Sequence, residues 1–159
     1  MSLNTFKGGV HPIEGKDLSK DKPVKELLPG KELAFHLSQH IGAPARAIVA
    51  AGDTVLRGQM IAEAGGFVSA PIYASVSGKV KGIEPRLGAA GAVGDAIIIE
   101  NDEQYQEVDF TECDEVDYLS KEEIIDKIRT AGVVGMGGAG FPTAVKMAPK
   151  NPDEIDTII

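Results

Sequence analysis

Between residues 45 and 100 the apolar residues of the chain fall into short runs that glycine turns separate. The runs read AIVAAGDTVLRGQMIAEAGG, FVSAPIYASVSGKV and, after the Gly/Ala-rich RLGAAGAVGD, AIIIE. Short apolar runs at close spacing, bounded by turn residues, are typical of β-strands. They predict a small all-β module over residues 45–100.

One of these runs also predicts how the module packs. Alternate residues of a strand point to the same face of a sheet, and small side chains on that face let two sheets approach closely. The alternate positions of FVSAPIYASVSGKV are Val68, Ala70, Ile72, Ala74 and Val76. We therefore expect these five residues to share one buried face.

The segments on either side differ in composition from this module. Residues 1–44 scatter Gly and Pro without a helix or strand period, which predicts an extended N-terminal arm with short turns. Residues 101–118 are densely acidic and are interpreted as a solvated linker between domains. A calcium site is not favoured there, because the glycine and the carboxylate spacing of an EF-hand loop are missing.

A helix and a glycine-rich stretch occupy residues 119–159. Ser120 and Glu123 have the spacing of a capping box, and Gly132 supplies a stop signal. Leu119 can pack on Ile124 at the start of this helix. The sequence EIDTII (154–159) resembles the beginning of a strand. The expected apolar face of the helix consists of Ile124, Ile125 and Ile128.

The glycine loop, residues 133–142, reads VVGMGGAGFP and continues into TAVK. It satisfies G-x-G-x-x-G, but a helix and not a strand precedes it, and no Walker Gly-Lys-Ser/Thr follows. Glycines let backbone N–H groups approach an anion, and Pro142 suits the first position of a helix. With Lys146 one turn later, the stretch favours phosphate binding. The alternative is a glycine-rich turn that packs on the preceding helix.

The β module resembles the lipoyl and biotinyl carrier fold, the barrel-sandwich hybrid. The matching residues are Gly52-Asp53, Gly58-Gln59, Ala70-Pro71 and the SGKV of residues 77–80. A carrier displays a lysine on an exposed hairpin tip, yet no lysine lies between Ala62 and Gly78. The resemblance therefore implies the scaffold without the swinging arm. It favours a docking or structural role over a carrier.

A second resemblance covers the whole chain. AGVVGMGGAGFPTAVK resembles the flavin-binding loop of the NADH-binding subunit of respiratory complex I. Together with TFKGGVHP (5–12), LSQHIGAPA (37–45) and AEAGGFVSAPIYASVSG (62–78), it resembles the N-terminal part of the C subunit of the Rnf electron-transport complex. This resemblance implies an α+β fold, in which the barrel-sandwich module precedes the start of an incomplete, Rossmann-like FMN/NADH-binding domain (119–159).

The resemblance implies a fragment of an electron-transfer subunit of a membrane-associated ferredoxin:NAD oxidoreductase that moves ions. A non-catalytic docking or adaptor module is the alternative. Met136 stands where the complex I relatives commonly have arginine. By position, Phe141 would contact NAD. The residues that would contact FMN are Gly135, Gly137, Gly138, Gly140 and Lys146.

The same resemblance implies cofactors and partners. FMN and NAD(H) belong to the intact protein, and two [4Fe-4S] clusters are expected beyond residue 159. We expect no cofactor tightly bound to this chain, and no activity of the chain alone, because some 40 residues after the linker are too few for an independent sheet. The expected partners are other subunits of a membrane complex and, indirectly, ferredoxin and NADH.

The expected location is the cytoplasmic face of the cell membrane, as a peripheral protein. No run approaches the roughly 18 apolar residues of a membrane span, and a net charge of −8 argues against nucleic-acid binding. His36 and His40 have the i, i+4 spacing of a metal pair, but ordinary hydrogen-bonded histidines are favoured. Cys113 lies among acidic residues that discourage a reactive thiolate, and no role is assigned to it.

Overall fold

A computed structural model of the chain describes residues 12–89, 91–112 and 116–157. His11, Cys113, most of TFKGGVHP and the last two residues of the expected final strand lie outside this part. The helices are α1 (Lys121–Thr130) and α2 (Thr143–Lys146), with 3-10 turns at Lys16–Leu18, Val116–Tyr118 and Pro152–Glu154. The strands are β1 (Glu32–His36), β2 (Arg46–Ala47), β3 (Thr54–Val55), β4 (Met60–Glu63), β5 (Ile72–Tyr73), β6 (Gly78–Leu87) and β7 (Val93–Asn101).

The strands form two antiparallel sheets with orders β1-β7-β6-β3 and β2-β4-β5. The longest ladder joins β6 to β7, from Gly78 opposite Asn101 to Leu87 opposite Val93. Both sheets contribute side chains to one core, which confirms the predicted small all-β module. Small alanines lie among larger aliphatic residues in this core, as close approach of two sheets requires. The core consists of Phe35, Ala45, Val55, Ile61, Ala62, Ile72, Ala74, Val76, Val80, Ile97 and Ile99.

The predicted alternation over residues 68–76 is present as a burial pattern. Ala70, Ile72, Ala74 and Val76 are buried, and Val68 is half-buried. Only two residues of the segment, those of β5, belong to a strand, because its other backbone groups bond outside a regular ladder. Ala74, for example, exchanges hydrogen bonds with Gln59 O and the Gly58 N–H.

The arm expected over residues 1–44 contains a strand that the sequence interpretation missed. All five residues of β1 pair with β7, from Glu32 opposite Glu100 to His36 opposite Ala96. Leu33 and Phe35 are the only large apolar residues of this strand, too few to show a period in the sequence. The β module therefore includes part of the expected arm.

The acidic segment is also attached, over its first half, to the β module, which is called the barrel from here on. We call residues 101–110 the strap. The buried Ser77 hydroxyl donates to Asp102 Oδ1 at 2.7 Å and accepts the Gln106 N–H at 3.0 Å. The Arg57 N–H donates to Gln106 O at 2.8 Å, and Arg57 O accepts the Val108 N–H at 3.0 Å. Most residues of this half are exposed, as a solvated segment requires, but its backbone is bonded to the barrel.

The bonds to Asp102 predict a pH-dependent contribution to stability. The Ser77 hydroxyl, followed by the Gln104 N–H, holds the pKa of Asp102 below its usual value of 3.8. A carboxyl whose pKa is lower in the folded state stabilises the fold above the unfolded pKa, and this contribution is lost as the pH falls through the folded pKa. We expect Asp102→Asn to lower the melting temperature at pH 7, and this difference from wild type to vanish near pH 2.

Thermal unfolding followed by circular dichroism at both pH values measures this effect. The matched control is Asp109→Asn, which changes an exposed carboxylate of the same strap. A difference between the Asp102 variant and wild type that is equal at the two pH values would contradict the prediction.

No helix in the described residues is long and apolar enough to cross a membrane.

Candidate functional site

Helix α1 directly precedes the glycine loop. Its capping box at Ser120 and its stop at Gly132 both agree with the sequence prediction. Ser120 Oγ accepts the Glu123 N–H at 3.2 Å, while the Glu123 carboxylate accepts the Ser120 N–H at 2.8 Å. The Ser120 N–H, followed by the Ser120 hydroxyl, which donates to the same carboxylate at 2.8 Å, holds the pKa of Glu123 below its usual value. At the other end Gly132 has a φ of +67°, and its N–H donates to Arg129 O. This left-handed glycine turns the chain out of the helix.

The apolar face of α1 is only partly covered by the described residues. No residue of the helix is buried: Ile125 and Ile128 are half-buried, and Ile124 is exposed. The expected Rossmann-like continuation stays a prediction. The described part of the expected final strand, residues 155–157, follows a 3-10 turn and has no strand structure.

The glycine loop is a closed turn. Val134 and Pro142 form an isolated antiparallel bridge, and the Gly135 N–H donates to Phe141 O at 2.9 Å. At its tip, Gly137 and Gly138 have nothing within 4 Å of the position that a Cβ would take. The tip therefore leaves room for a ligand to approach the backbone closely.

Lys146 lies over this loop. Its Nζ is 3.3 Å from the position that a Cβ would take on Gly135, and 5.8 Å from the centre of the Phe141 ring. This is cation–π distance. The structure therefore brings one ammonium group, one aromatic face and the open glycine tip together.

The start of α2 differs from the expectation. The helix begins at Thr143 and not at Pro142, and it has four residues. The Thr143 N–H donates to Val133 O at 2.9 Å, so this amide is already bonded. The helix dipole and free amides therefore contribute less to anion binding here than the sequence indicated. Gly140 lies against Gln39 and His40 of the barrel.

The barrel holds the glycine loop through a segment that sequence reasoning did not assign to the site. We call residues 37–44 the clamp loop. The Ile41 N–H donates to Ala139 O at 3.0 Å. Gly140 has a φ of +65°, and a Cβ on it would lie 2.8 Å from Gln39 O and 3.0 Å from His40 Cα. The signal LSQHIGAPA was present in the sequence only as part of a family resemblance, because nothing local indicates what it touches.

The C-terminal end of α1 also packs on the barrel. The Tyr73 hydroxyl donates to Thr130 O, and partial burial raises the pKa of this tyrosine. A Cβ on Gly132 would lie 2.7 Å from Pro71 O. Backbone atoms of the helix end and of the glycine loop thus lie against the barrel. This leaves little freedom in how the two segments pack on it.

Two open clefts flank this contact. One, of about 300 Å³, lies between the hairpin tip at Phe67 and the start of α2 at Pro142 and Ala144. The other, of about 330 Å³, lies between His40 and Tyr73. Phe67 is 82% exposed and stands on the hairpin where a carrier would place its lysine. The first cleft is mainly apolar and has Arg129 at its edge.

His40 is the buried, hydrogen-bonded histidine that the sequence interpretation favoured over a metal ligand. It is 8% exposed, and its Nε2 accepts the Ala70 N–H at 3.1 Å. Among the described residues, no group of three or more His, Cys, Asp or Glu side chains is placed to hold a metal ion.

Known proteins with similar sequences match the chain over nearly its whole length. The chain is 42% identical over 159 residues to the C subunit of the proton-translocating ferredoxin:NAD(+) oxidoreductase complex of Clostridium ljungdahlii, covering 99% of this chain and 35% of that protein. It is 38% identical over 157 residues to the C subunit of the Na(+)-translocating ferredoxin:NAD(+) oxidoreductase complex of Acetobacterium woodii, covering 98% and 35%. The C subunit of the ion-translocating oxidoreductase complex of Pseudomonas aeruginosa is 37% identical over 160 residues, covering 99% and 21%.

The chain thus spans about a third of the length of the first two relatives, and less of the third. The sequence profile of the RnfC barrel sandwich hybrid domain matches residues 4–104. This range includes the missed strand β1 and the first part of the strap. The chain therefore belongs to the RnfC barrel sandwich hybrid domain family.

Proposed function

We propose that the chain is the N-terminal part of an electron-transfer subunit of a ferredoxin:NAD oxidoreductase complex that couples electron flow to ion translocation. Three relatives, each named for a ferredoxin:NAD(+) or ion-translocating oxidoreductase complex, match nearly the whole chain. The observation that carries the proposal to the site is the position of Lys146. Its ammonium lies over the glycine loop beside the Phe141 ring, so a positive charge is available to an anionic nucleotide at this loop.

The residues present fit an FMN phosphate. Gly137 and Gly138 have no side chain and open space around them, so a phosphate can reach their backbone. Lys146 supplies a positive charge 3.3 Å from the position that a Cβ would take on Gly135. FMN, when bound, exchanges hydride and single electrons, and the protein supplies binding and electrostatics. Gly140 supports the site from the barrel side, and Phe141 offers a ring face to the nicotinamide nucleotide.

The rest of the proposed function concerns the complete subunit. Its proposed cofactors are FMN, NAD(H) and two [4Fe-4S] clusters. Its proposed partners are the other subunits of a membrane complex, with ferredoxin and NADH reached through them. The proposed location is the cytoplasmic face of the cell membrane. On this proposal the barrel supports the flavin domain. This chain alone is inactive.

Replacing Lys146 tests the flavin site. We expect Lys146→Met to weaken FMN binding by the full-length protein by about 10- to 100-fold, because a charged partner of the phosphate is lost. Quenching of flavin fluorescence on titration measures the affinity. The matched control is Lys150→Met, an exposed lysine beyond the end of α2, which should bind FMN like wild type. Equal affinity of the Lys146 variant and wild type would overturn the assignment.

The 159-residue chain itself provides a second test. We expect it to bind FMN only weakly, because the described part after the strap consists mainly of α1, the glycine loop and α2 and leaves the α1 face partly exposed. Stoichiometric, tight binding of FMN by this chain would contradict that expectation.

A non-catalytic adaptor is the second candidate, and the hairpin at residues 64–69 favours it over a carrier. A Cβ on Gly65 would lie 2.0 Å from Pro44 O, and the Ala43 N–H donates to Val68 O at 2.9 Å. The hairpin is therefore packed against the clamp loop and does not swing. Sequencing the source gene past the codon for Ile159 separates the candidates. Cysteine runs with the C-x₂-C-x₂-C spacing support the electron-transfer subunit, and a stop codon supports the adaptor.

A further inference from the structure

We propose that His40 is a positioning residue for the flavin site. Its ring holds the clamp loop in the conformation that fixes the glycine loop on the barrel. This inference rests on the proposed function, because it concerns the loop at which the FMN phosphate would bind. His40 acts on that loop through the backbone and not through contact with a ligand.

The ring bonds the clamp loop to the hairpin of the barrel. Nε2 lies 3.1 Å from both Ala70 N and Ala70 O. A proton on Nε2 would make only the bond to Ala70 O, whereas a proton on Nδ1 lets Nε2 accept the Ala70 N–H and also satisfies Ile41 O, so we assign the second tautomer. The ring proton then sits on Nδ1, which donates to Ile41 O at 3.2 Å. The Ser69 hydroxyl, 3.5 Å from Nε2, accepts the Gly65 N–H at 2.9 Å. The ring thus links the clamp loop to Ser69 and Ala70 at the end of the hairpin.

The backbone of the same residues carries this restraint to the glycine loop. The peptide N–H that follows His40, that of Ile41, donates to Ala139 O at 3.0 Å. His40 Cα lies 3.0 Å from the position that a Cβ would take on Gly140. Ala139 and Gly140 stand between the open tip and Phe141. A shift of the clamp loop therefore moves the tip relative to Lys146.

The ends of the clamp loop are fixed independently of His40. The Leu37 N–H donates to Asp95 O at 2.9 Å, and the Ala45 N–H donates to Leu37 O at 2.8 Å. Loss of the ring should therefore release the middle of the clamp loop and leave the barrel folded. The effect of His40 on the position of the glycine loop can therefore be measured apart from an effect on the folding of the barrel.

The test compares His40→Leu with His40→Gln in the full-length protein. Leucine leaves the buried Ala70 N–H without an acceptor, whereas the Gln amide oxygen can replace Nε2. We expect His40→Leu to bind FMN about 10-fold more weakly and His40→Gln to bind within about threefold of wild type. Hydrogen exchange measured by mass spectrometry should be faster over residues 135–142 in His40→Leu and restored in His40→Gln.

Two controls distinguish positioning from loss of stability. His36→Leu changes a histidine on β1 that lies outside the clamp loop, and it should leave affinity and exchange unchanged. Val76→Ala changes the barrel core, and it should lower the melting temperature without weakening FMN binding. The inference is overturned if His40→Leu matches wild type, if His40→Gln fails to restore it, or if Val76→Ala weakens FMN binding in proportion to its lost stability.

The exchange measurement also keeps the two proposals separate. If the wild-type protein does not bind FMN, the proposed flavin site fails. In that case faster exchange in His40→Leu, restored by His40→Gln, still supports the positioning role. Unchanged exchange in His40→Leu overturns it.

Discussion

A Gly78→Ala substitution is expected to lower the free energy of unfolding of the barrel by roughly 3 to 5 kcal/mol, a large share of the stability of a small domain. Gly78 begins β6, with a φ of +154°, and a Cβ on it would lie 2.0 Å from Glu100 O. That oxygen belongs to the backbone of β7, so the clash can be relieved only by separating the two strands. Urea denaturation followed by circular dichroism measures the effect.

Two other glycines of the same ladder separate strain from overlap. Gly82 has a φ of +157° but nothing within 4 Å of a Cβ position, so Gly82→Ala introduces strain alone. Gly94 has the same open space without a positive φ, so Gly94→Ala should change the free energy of unfolding little. The expected order of destabilisation is Gly78, Gly82, Gly94. A Gly78 variant as stable as the Gly82 variant would show that overlap with Glu100 O does not matter.

A Gly140→Ala substitution is expected to detach the glycine loop from the clamp loop, at a cost of roughly 2 to 4 kcal/mol to their docking. The φ of +65° disfavours alanine, and the Cβ would lie 2.8 Å from Gln39 O. Hydrogen exchange over residues 135–142 should become faster, and FMN binding by the full-length protein should weaken. The melting temperature of the barrel should change little, because its core is not touched.

Gly137→Ala is the matched control, because a Cβ there meets nothing within 4 Å. It should leave the exchange of the glycine loop near that of wild type. If Gly137→Ala released the loop as strongly as Gly140→Ala, a general sensitivity of the loop to any added side chain would explain the effect. Contact with the clamp loop would then not be its cause.

The features that the sequence predicted correctly depend on neighbours along the chain. The capping box of Ser120 and Glu123 and the stop at Gly132 follow from spacings of a few residues. Burial of Ala70, Ile72 and Ala74 follows from a period of two. Such local patterns specify local geometry, so they can be read without the fold.

The features that the sequence did not reveal join distant segments through backbone atoms. β1 pairs with β7, the strap bonds to the backbone of Arg57, and the clamp loop bonds to Ala139. Backbone N–H and carbonyl groups are the same at every residue other than proline, so the sequence does not indicate which partner such a group will bond to. Gly140 illustrates the limit: the sequence marks it as a loop glycine, whereas only the structure shows what its missing Cβ avoids.

The pairing of β1 with β7 has a consequence for synthesis of the protein. His36 lies opposite Ala96, so β1 leaves the ribosome about 60 residues before the strand that pairs with it. At a synthesis rate of about 5 to 20 residues per second, this gap lasts roughly 3 to 12 s. During that time β1 has an unpaired edge, and the first sheet cannot close. Any delay in the synthesis or pairing of β7 therefore prolongs the period in which the nascent chain is open to chaperones or to aggregation.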